Sequence, residues 1–336
     1  MKILIVKIGA LGDVVMALAM VEAIDRLFPG AHITWVCGKS VVPLLKANQR
    51  INEIIPVDDR KLFRGGLGGA LSELIPLWFK LLGKRFDLVV TGHSDSRYQL
   101  LSLTVWARIR RQFGDFKTGR WPVPGRYHAH EYVRLITGQN DSEAVSATVP
   151  ILTLSLRPPL SQKIKSENKT IALAPGGAKN LLRDDALRRW PLENYIQLAQ
   201  KLIKNGHQVI ITGSASDEWI QDSFKKLSVV DLVGQTSIED LIAVFANSNV
   251  VITHDSGPFH LAVVSGKPVI GLFGPTNPWE KAPRNEKIKI IWGGEALACR
   301  PCYDGKNYAD CKNNLCLKQV SANEVYGEVE KMLLQR

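Results

Sequence analysis

KILIVKIGALGDVVMALAMVEAI (residues 2–24) opens the chain and decides its fold. The apolar run 3–6 reads as a buried strand, Gly9 and Gly12 loosen a turn, and 14–24 reads as a helix. Strand, glycine turn and helix together form an arrangement that offers backbone N–H groups to a phosphate. Asp13 stands at that helix start, where a carboxylate would repel a bound anion.

The alternation continues outward from this unit. Strands are expected at 2–7, 32–37, 53–57 and 87–91, with helices between them, notably 68–82 and 98–109. Pro76 should kink or split the first of these helices. Residues 139–170 turn polar around Pro158 and Pro159 and read as a linker. A second series follows: strands at 170–174, 208–212, 231–233, 250–253 and 268–273, helices at 192–204, 217–227, 238–247 and 257–264. Two β/α series imply two doubly wound domains with parallel sheets. Ligands in such folds bind outside the carboxyl ends of the strands, so the expected site is a cleft between the domains.

A chain of 336 residues with 45% hydrophobic and 22% charged content has the composition of a soluble globular protein. It holds no apolar stretch near the ~20 residues of a membrane span. The first strand starts almost at once, without the pattern of a signal peptide, so a cytoplasmic location with reduced thiols is expected. The net charge is +11, and between Arg60 and Arg134 there are 14 Lys and Arg against 5 Asp and Glu. Phe63, Trp78, Phe79, Trp106, Phe113, Phe116 and Trp121 interleave with these cations. A solvated basic face is the plain reading of a charge-rich stretch. Basic plus aromatic also points to an anionic partner with an apolar side, such as a membrane surface or acidic glycolipid, with nucleic acid as the competitor.

Known nucleotide motifs fail: Gly9 and Gly12 do not complete G-x-G-x-x-G, and Gly38-Lys39-Ser40 lacks the earlier glycine of a P-loop. The strongest local signal is THDSGPFHLAVVSGKPVIGLFGPTNP, residues 253–278. Ser256 is placed as a helix N-cap, Pro258 suits the first turn, and Gly257 lets a ligand approach the backbone. That helix end would hold a pyrophosphate without a metal. Alone, the stretch reads better as an ordinary capped helix with a satisfied core histidine at His260.

GDVV (12–15), APGGAKN (174–180), RRWPLENY (188–195) and HDSGPFH followed by GKPVIGLFGPTNP (254–278), in that order, resemble glycosyltransferase family 9, the heptosyltransferases of the lipopolysaccharide inner core. NEIIPVDDRKLFR (52–64) and GDFKTGRWP (114–122) resemble the acceptor-binding segments of heptosyltransferase I. The resemblance implies a GT-B fold, two Rossmann-like doubly wound domains facing across a cleft. An acceptor domain would cover 1–155, a donor domain 156–318, and a helix at 319–336 would pack back on the first domain. It implies an inverting transfer of heptose from ADP-heptose to an inner-core acceptor, made peripherally at the cytoplasmic face of the inner membrane, with no nucleic-acid partner.

Through that resemblance Asp13 becomes the general base that takes the acceptor hydroxyl's proton, kept ionised by the helix N-terminus. Otherwise it reads as a helix cap. The donor side would comprise Gly176 and Gly177, where heptosyltransferase I has hydroxyl-bearing residues, and Arg189, where the family often has a phosphate-contacting lysine. Glu218, with Asp217 as rival, and Asp255, Ser256, Gly257 and His260 of the D-[ST]-G-x-x-H motif complete it. Arg60, Lys61, Arg64 and Arg120 would hold the acceptor's anionic groups. No cofactor is expected for the transfer.

Cys299, Cys302, Cys311 and Cys316 form C-x2-C-x8-C-x4-C, while Cys37 lies apart. Reduced thiols and a structural zinc are both readings of that spacing, with paired disulfides less favoured. Two alternatives stand beside heptosyl transfer: a GT-B transferase or epimerase using another nucleotide sugar, and a basic nucleic-acid-binding protein with a zinc-stabilised tail.

Overall fold

The computed structural model describes residues 1–114, 123–139, 147–164, 168–179, 184–304 and 307–335. Contacts divide the chain into two compact units, Met1–Pro150 and Ile151–Arg336, where the sequence placed the boundary at 155/156.

The first unit is built on five parallel strands, β1 (Lys2–Val6), β2 (His32–Gly38), β3 (Glu53–Val57), β4 (Arg85–Thr91) and β5 (Trp106–Gln112), in the order β3-β2-β1-β4-β5. Ile3 to Val6 are fully buried, as strands covered on both faces must be. On one face Leu4, Val6, Val36 and Val89 meet Leu74, Leu77 and Leu81 of the helix Gly66–Leu81. That helix runs unbroken through Pro76, where the sequence implied a kink or a split.

One element differs in type. The helix expected at 98–109 is a 3-10 turn, Ser96–Ser102, followed by the edge strand β5. Arg85 to Thr91 offer β5 a ladder of backbone partners, and pairing along a whole strand outweighs the helical leaning of an Arg-rich segment.

The second unit holds six parallel strands, β6 (Thr170–Ala174), β7 (Gln208–Ile211), β8 (Val229–Asp231), β9 (Val250–His254), β10 (Val269–Phe273) and β11 (Ile288–Trp292), ordered β11-β10-β9-β6-β7-β8. The sequence reading contained no strand at β11. The last helix, Ala322–Leu334, belongs to the second unit. Val325 and Val329 are fully buried in one core with Leu198 and Leu202 of the helix Leu192–Lys204. Burying that apolar stripe against a helix of its own unit is what fixes its place.

Each sheet reverses its winding once, between β1 and β4 in the first unit and between β6 and β9 in the second. Doubly wound folds bind ligands outside the carboxyl ends of the strands at such points.

Candidate active site

At the first reversal, the chain leaving β1 carries Lys7 and Asp13. Lys7 is almost wholly buried, and its Nζ donates to Asp13 Oδ2 at 3.4 Å while lying over the Tyr132 ring at 5.6 Å. The Asp13 side chain keeps 38% of its surface exposed, so an incoming group can reach it. Asp13 is not a helix cap. The N-cap of helix Leu11–Ala17 is Ala10, which places Asp13 inside the first turn, where the helix end and Lys7 both supply positive potential.

From β4 comes His93, whose Nε2 accepts the Ile8 N–H at 3.1 Å, leaving the proton on Nδ1. Burial, and then the Lys7 charge, push its pKa well below the ordinary value despite Asp13, so the ring is neutral. Tyr98 stacks on His93 with centroids 3.6 Å apart, and burial raises its hydroxyl to about 12. The sequence reading missed Lys7, His93 and Tyr98. The available signal was a cation ending an apolar strand, and a histidine just past the end of another.

Arg60, Lys61 and Arg64 lie exposed on the helix Asp59–Arg64 that follows β3. Because β1 and β3 run parallel, their ends reach the same side of the sheet. A Cβ on Gly38 would lie 2.9 Å from the Ile8 carbonyl and 3.6 Å from the Asp59 carboxyl carbon, so the start of this helix adjoins the loop carrying Asp13. Lys61 Nζ is 3.8 Å from Glu73. Arg120 lies outside the described residues.

At the second reversal, the chain leaving β6 reaches Gly176 and Gly177, and the chain leaving β9 reaches Asp255, Ser256 and Gly257. Gly177 has φ +84°, which suits glycine, and a Cβ there would lie 3.4 Å from the Ser256 side chain. Its N–H donates to Asp217 Oδ1 at 2.9 Å and its carbonyl accepts from Arg189 Nε at 2.9 Å. Ser256 does occupy the N-cap of helix Gly257–Val264, but its hydroxyl donates to the His254 carbonyl at 3.1 Å rather than capping. The first turn of that helix is thus presented beside the glycine pair without a side-chain cap, a geometry suited to a diphosphate.

Asp217 also accepts from Ser214 N–H at 2.8 Å and from its hydroxyl at 2.7 Å, so this carboxylate holds the loop together. Glu218 beside it is exposed, with Oε1 3.8 Å from where a Gly234 Cβ would lie. Asp217 is thus committed to the loop, while the Glu218 carboxylate is exposed.

Arg189, expected at the phosphate, is bound to Gly177, to Asp184 at 2.5 Å, and lies over the Trp219 ring at 5.7 Å. Arg188, which the sequence reading passed over, reaches Asp255 Oδ2 at 3.4 Å and Asp185 at 2.7 Å. Asp255 is buried and accepts the Thr276 hydroxyl at 2.7 Å. Burial alone would raise its pKa, but the Arg188 charge and the Thr276 bond outweigh that and lower it; His260 adds to the lowering. The signal for Arg188 was the Arg-Arg doublet before Trp190, whose indole is committed to the Val320 carbonyl at 2.9 Å.

The four clustered cysteines are free thiols around one cavity of about 210 Å³, lined also by Leu187, Gly274 and Leu297. Among the described residues no three His, Cys, Asp or Glu side chains converge to hold a metal.

Two doubly wound parallel units, one with an accessible carboxylate and one with an uncapped helix start beside a glycine pair, are the architecture of the GT-B fold. The chain belongs to glycosyltransferase family 9, the heptosyltransferases, whose family model matches residues 128–312. It is 26% identical over 302 residues to the lipopolysaccharide core heptosyltransferase OpsX of Haemophilus influenzae, covering 85% of this chain and 83% of that protein. It is 26% identical over 320 residues to lipopolysaccharide heptosyltransferase 2 of Salmonella typhimurium, covering 87% and 88%. The fold matches the E. coli ADP-heptose lps heptosyltransferase II with a TM-score of 0.75 at 22% identity, covering 100% of this chain and 99% of that one. Among the described residues no helix is long and apolar enough to cross a membrane.

Proposed function

We propose that this enzyme transfers heptose, with inversion, from ADP-heptose to a sugar of the lipopolysaccharide inner core, working peripherally at the cytoplasmic face of the inner membrane. The observation that carries the reading is the Gly177 backbone held by Asp217 and Arg189 against the uncapped start of helix Gly257–Val264. Backbone N–H groups there stabilise the diphosphate as negative charge builds on it, and a helix end does so without a metal.

Asp13 takes the proton of the acceptor hydroxyl as that oxygen bonds to the anomeric carbon. The bond from that carbon to the diphosphate oxygen breaks, and its electron pair leaves with ADP. Lys7 fixes the carboxylate's position, and neutral His93 anchors the Ile8 backbone of the same loop. Glu218 contacts the nucleotide, and Arg60, Lys61, Arg64 and Arg120 hold the acceptor's carboxylates or phosphates.

A screen of truncated lipopolysaccharides with ADP-heptose tests this. Heptose should appear on an inner-core acceptor, with ADP released in equal amount and EDTA without effect. Turnover of a nucleotide sugar in the absence of acceptor would instead indicate an epimerase.

A further inference from the structure

We propose that the outer face of helix Gly66–Leu81, extended by Leu100, Leu103 and Trp106, docks the protein on an anionic lipid bilayer. The inference rests on the membrane-peripheral part of the proposed function and names the surface that performs it.

The helix is apolar on two sides. Leu74, Leu77 and Leu81 face inward and are buried in the core. A surface helix of a globular protein turns polar residues outward. Here Leu67, Leu71, Ile75 and Phe79 recur every four residues along an outward stripe, and Leu82 continues it. Leu67 is 79% exposed, Phe79 74% and Leu82 63%. With a rise of ~1.5 Å per residue the stripe runs about 22 Å, enough to lie along an interface and too short to span one.

The neighbouring chain adds to the same patch. Trp78 Nε1 donates to the Leu100 carbonyl at 2.6 Å, and the Thr104 hydroxyl donates to the Trp78 carbonyl at 3.1 Å. These bonds hold the segment 100–104 against the helix, with Leu103 60% exposed. The Trp106 backbone N–H donates to the Lys84 carbonyl at 3.2 Å, which joins Trp106, 60% exposed, to the chain just after Leu82. Contiguous exposed apolar surface of this kind marks an interaction site.

Charge selects the occupant. From Arg60 to Arg111 there are ten Lys and Arg against three Asp and Glu. Lys80 and Lys84 share Glu53, while Arg85 and Arg108 are exposed beside the patch on β4 and β5. A second copy meeting this face symmetrically would bring like charges together. A bilayer with anionic headgroups neutralises them and takes up the Leu, Phe and Trp side chains.

The test is flotation of the full chain with phosphatidylglycerol/phosphatidylethanolamine vesicles and with phosphatidylcholine vesicles. The protein should float with the anionic vesicles. Phe79→Ser with Trp106→Ser should weaken partitioning by about 10-fold or more. Arg85→Glu with Arg108→Glu should abolish the preference for anionic lipid. Both double variants should transfer heptose to a deacylated, water-soluble acceptor at the parent rate. If the parent chain does not float, or the variants float as it does, this surface is not the dock, while transfer to the soluble acceptor still reports on the proposed reaction. Loss of that soluble activity, or a dimer in sedimentation velocity that the Phe79/Trp106 variant dissociates, would also overturn the proposal.

Discussion

Arg188 Nη1 lies 3.4 Å from Asp255 Oδ2, an ion pair in which the arginine side chain is 19% exposed and the aspartate 3%. The pair joins the loop before Trp190 to the end of β9, 67 residues away, and sits at the reversal of the second sheet. A buried carboxylate stripped of its counter-charge is costly, so Arg188→Ala should destabilise the protein by roughly 3–5 kcal/mol in urea unfolding. Arg189→Ala, which leaves that pair intact, should cost less and mainly reduce the rise in Tm produced by ADP. A loss below about 1 kcal/mol for Arg188→Ala would show that Asp255 does not depend on it.

Asp13→Asn should retain the fold and the ADP-induced rise in Tm while lowering kcat by roughly 10²-fold or more, the usual scale for losing a general base. Steady-state kinetics on the purified variant decide this. Near-parental turnover would show that Asp13 is not the general base.

Gly176→Ser adds a hydroxyl beside the candidate diphosphate site, yet it should harm this protein. A Cβ at Gly176 would lie 2.4 Å from the Asp217 carboxyl carbon, and Asp217 holds both Gly177 and Ser214. Weakened ADP binding by calorimetry, with a Tm reduced by several degrees, is the expected result. A tighter donor complex would mean that the Asp217 loop yields easily.

Stability should fall on acidification below about pH 6.5, before most carboxylates titrate. Burial, and then the Arg189 charge, depress His254 from 6.5 to about 3, and its Nδ1 is 3.1 Å from the Tyr195 hydroxyl. A depressed pKa means that the unfolded chain takes up a proton which the folded chain refuses. The stabilisation is therefore complete above 6.5 and is lost as pH falls toward 3, with a slope of up to ~1.4 kcal/mol per pH unit. His93, also held well below its ordinary value, acts in the same direction. Urea midpoints from pH 7 to 4 should show this slope, and His254→Gln should make it shallower.

Arg60→Ala should raise the KM for acceptor and leave ADP binding unchanged, because Arg60 is exposed on the acceptor-side helix Asp59–Arg64. The same is expected of Arg120→Ala. An exposed contact contributes at most about 1 kcal/mol, so the rise should be several-fold and should shrink as salt is added. Unchanged KM in both variants at low salt would make these arginines part of a merely solvated face.

The sequence by itself determined the two doubly wound units. Apolar runs such as ILIV at residues 3–6, alternating with helical patterns, are local signals that need no knowledge of their neighbours. It also singled out the DSGPFH segment as a local pattern, and Asp13, Gly176 and Gly177 through their resemblance to glycosyltransferase family 9. Only the tertiary structure decided which strands lie side by side, and the rest of the site follows from that. Pairing β1 with β4 brought His93 to the Lys7–Asp13 loop, and pairing β6 with β9 brought Asp255 to Gly177 and Arg188. The same long-range pairing drew 106–112 into an edge strand and the last helix into the second core. These choices were closed to the sequence because partners many tens of residues apart leave no local periodicity: adjacency comes from burying both faces of each sheet at once.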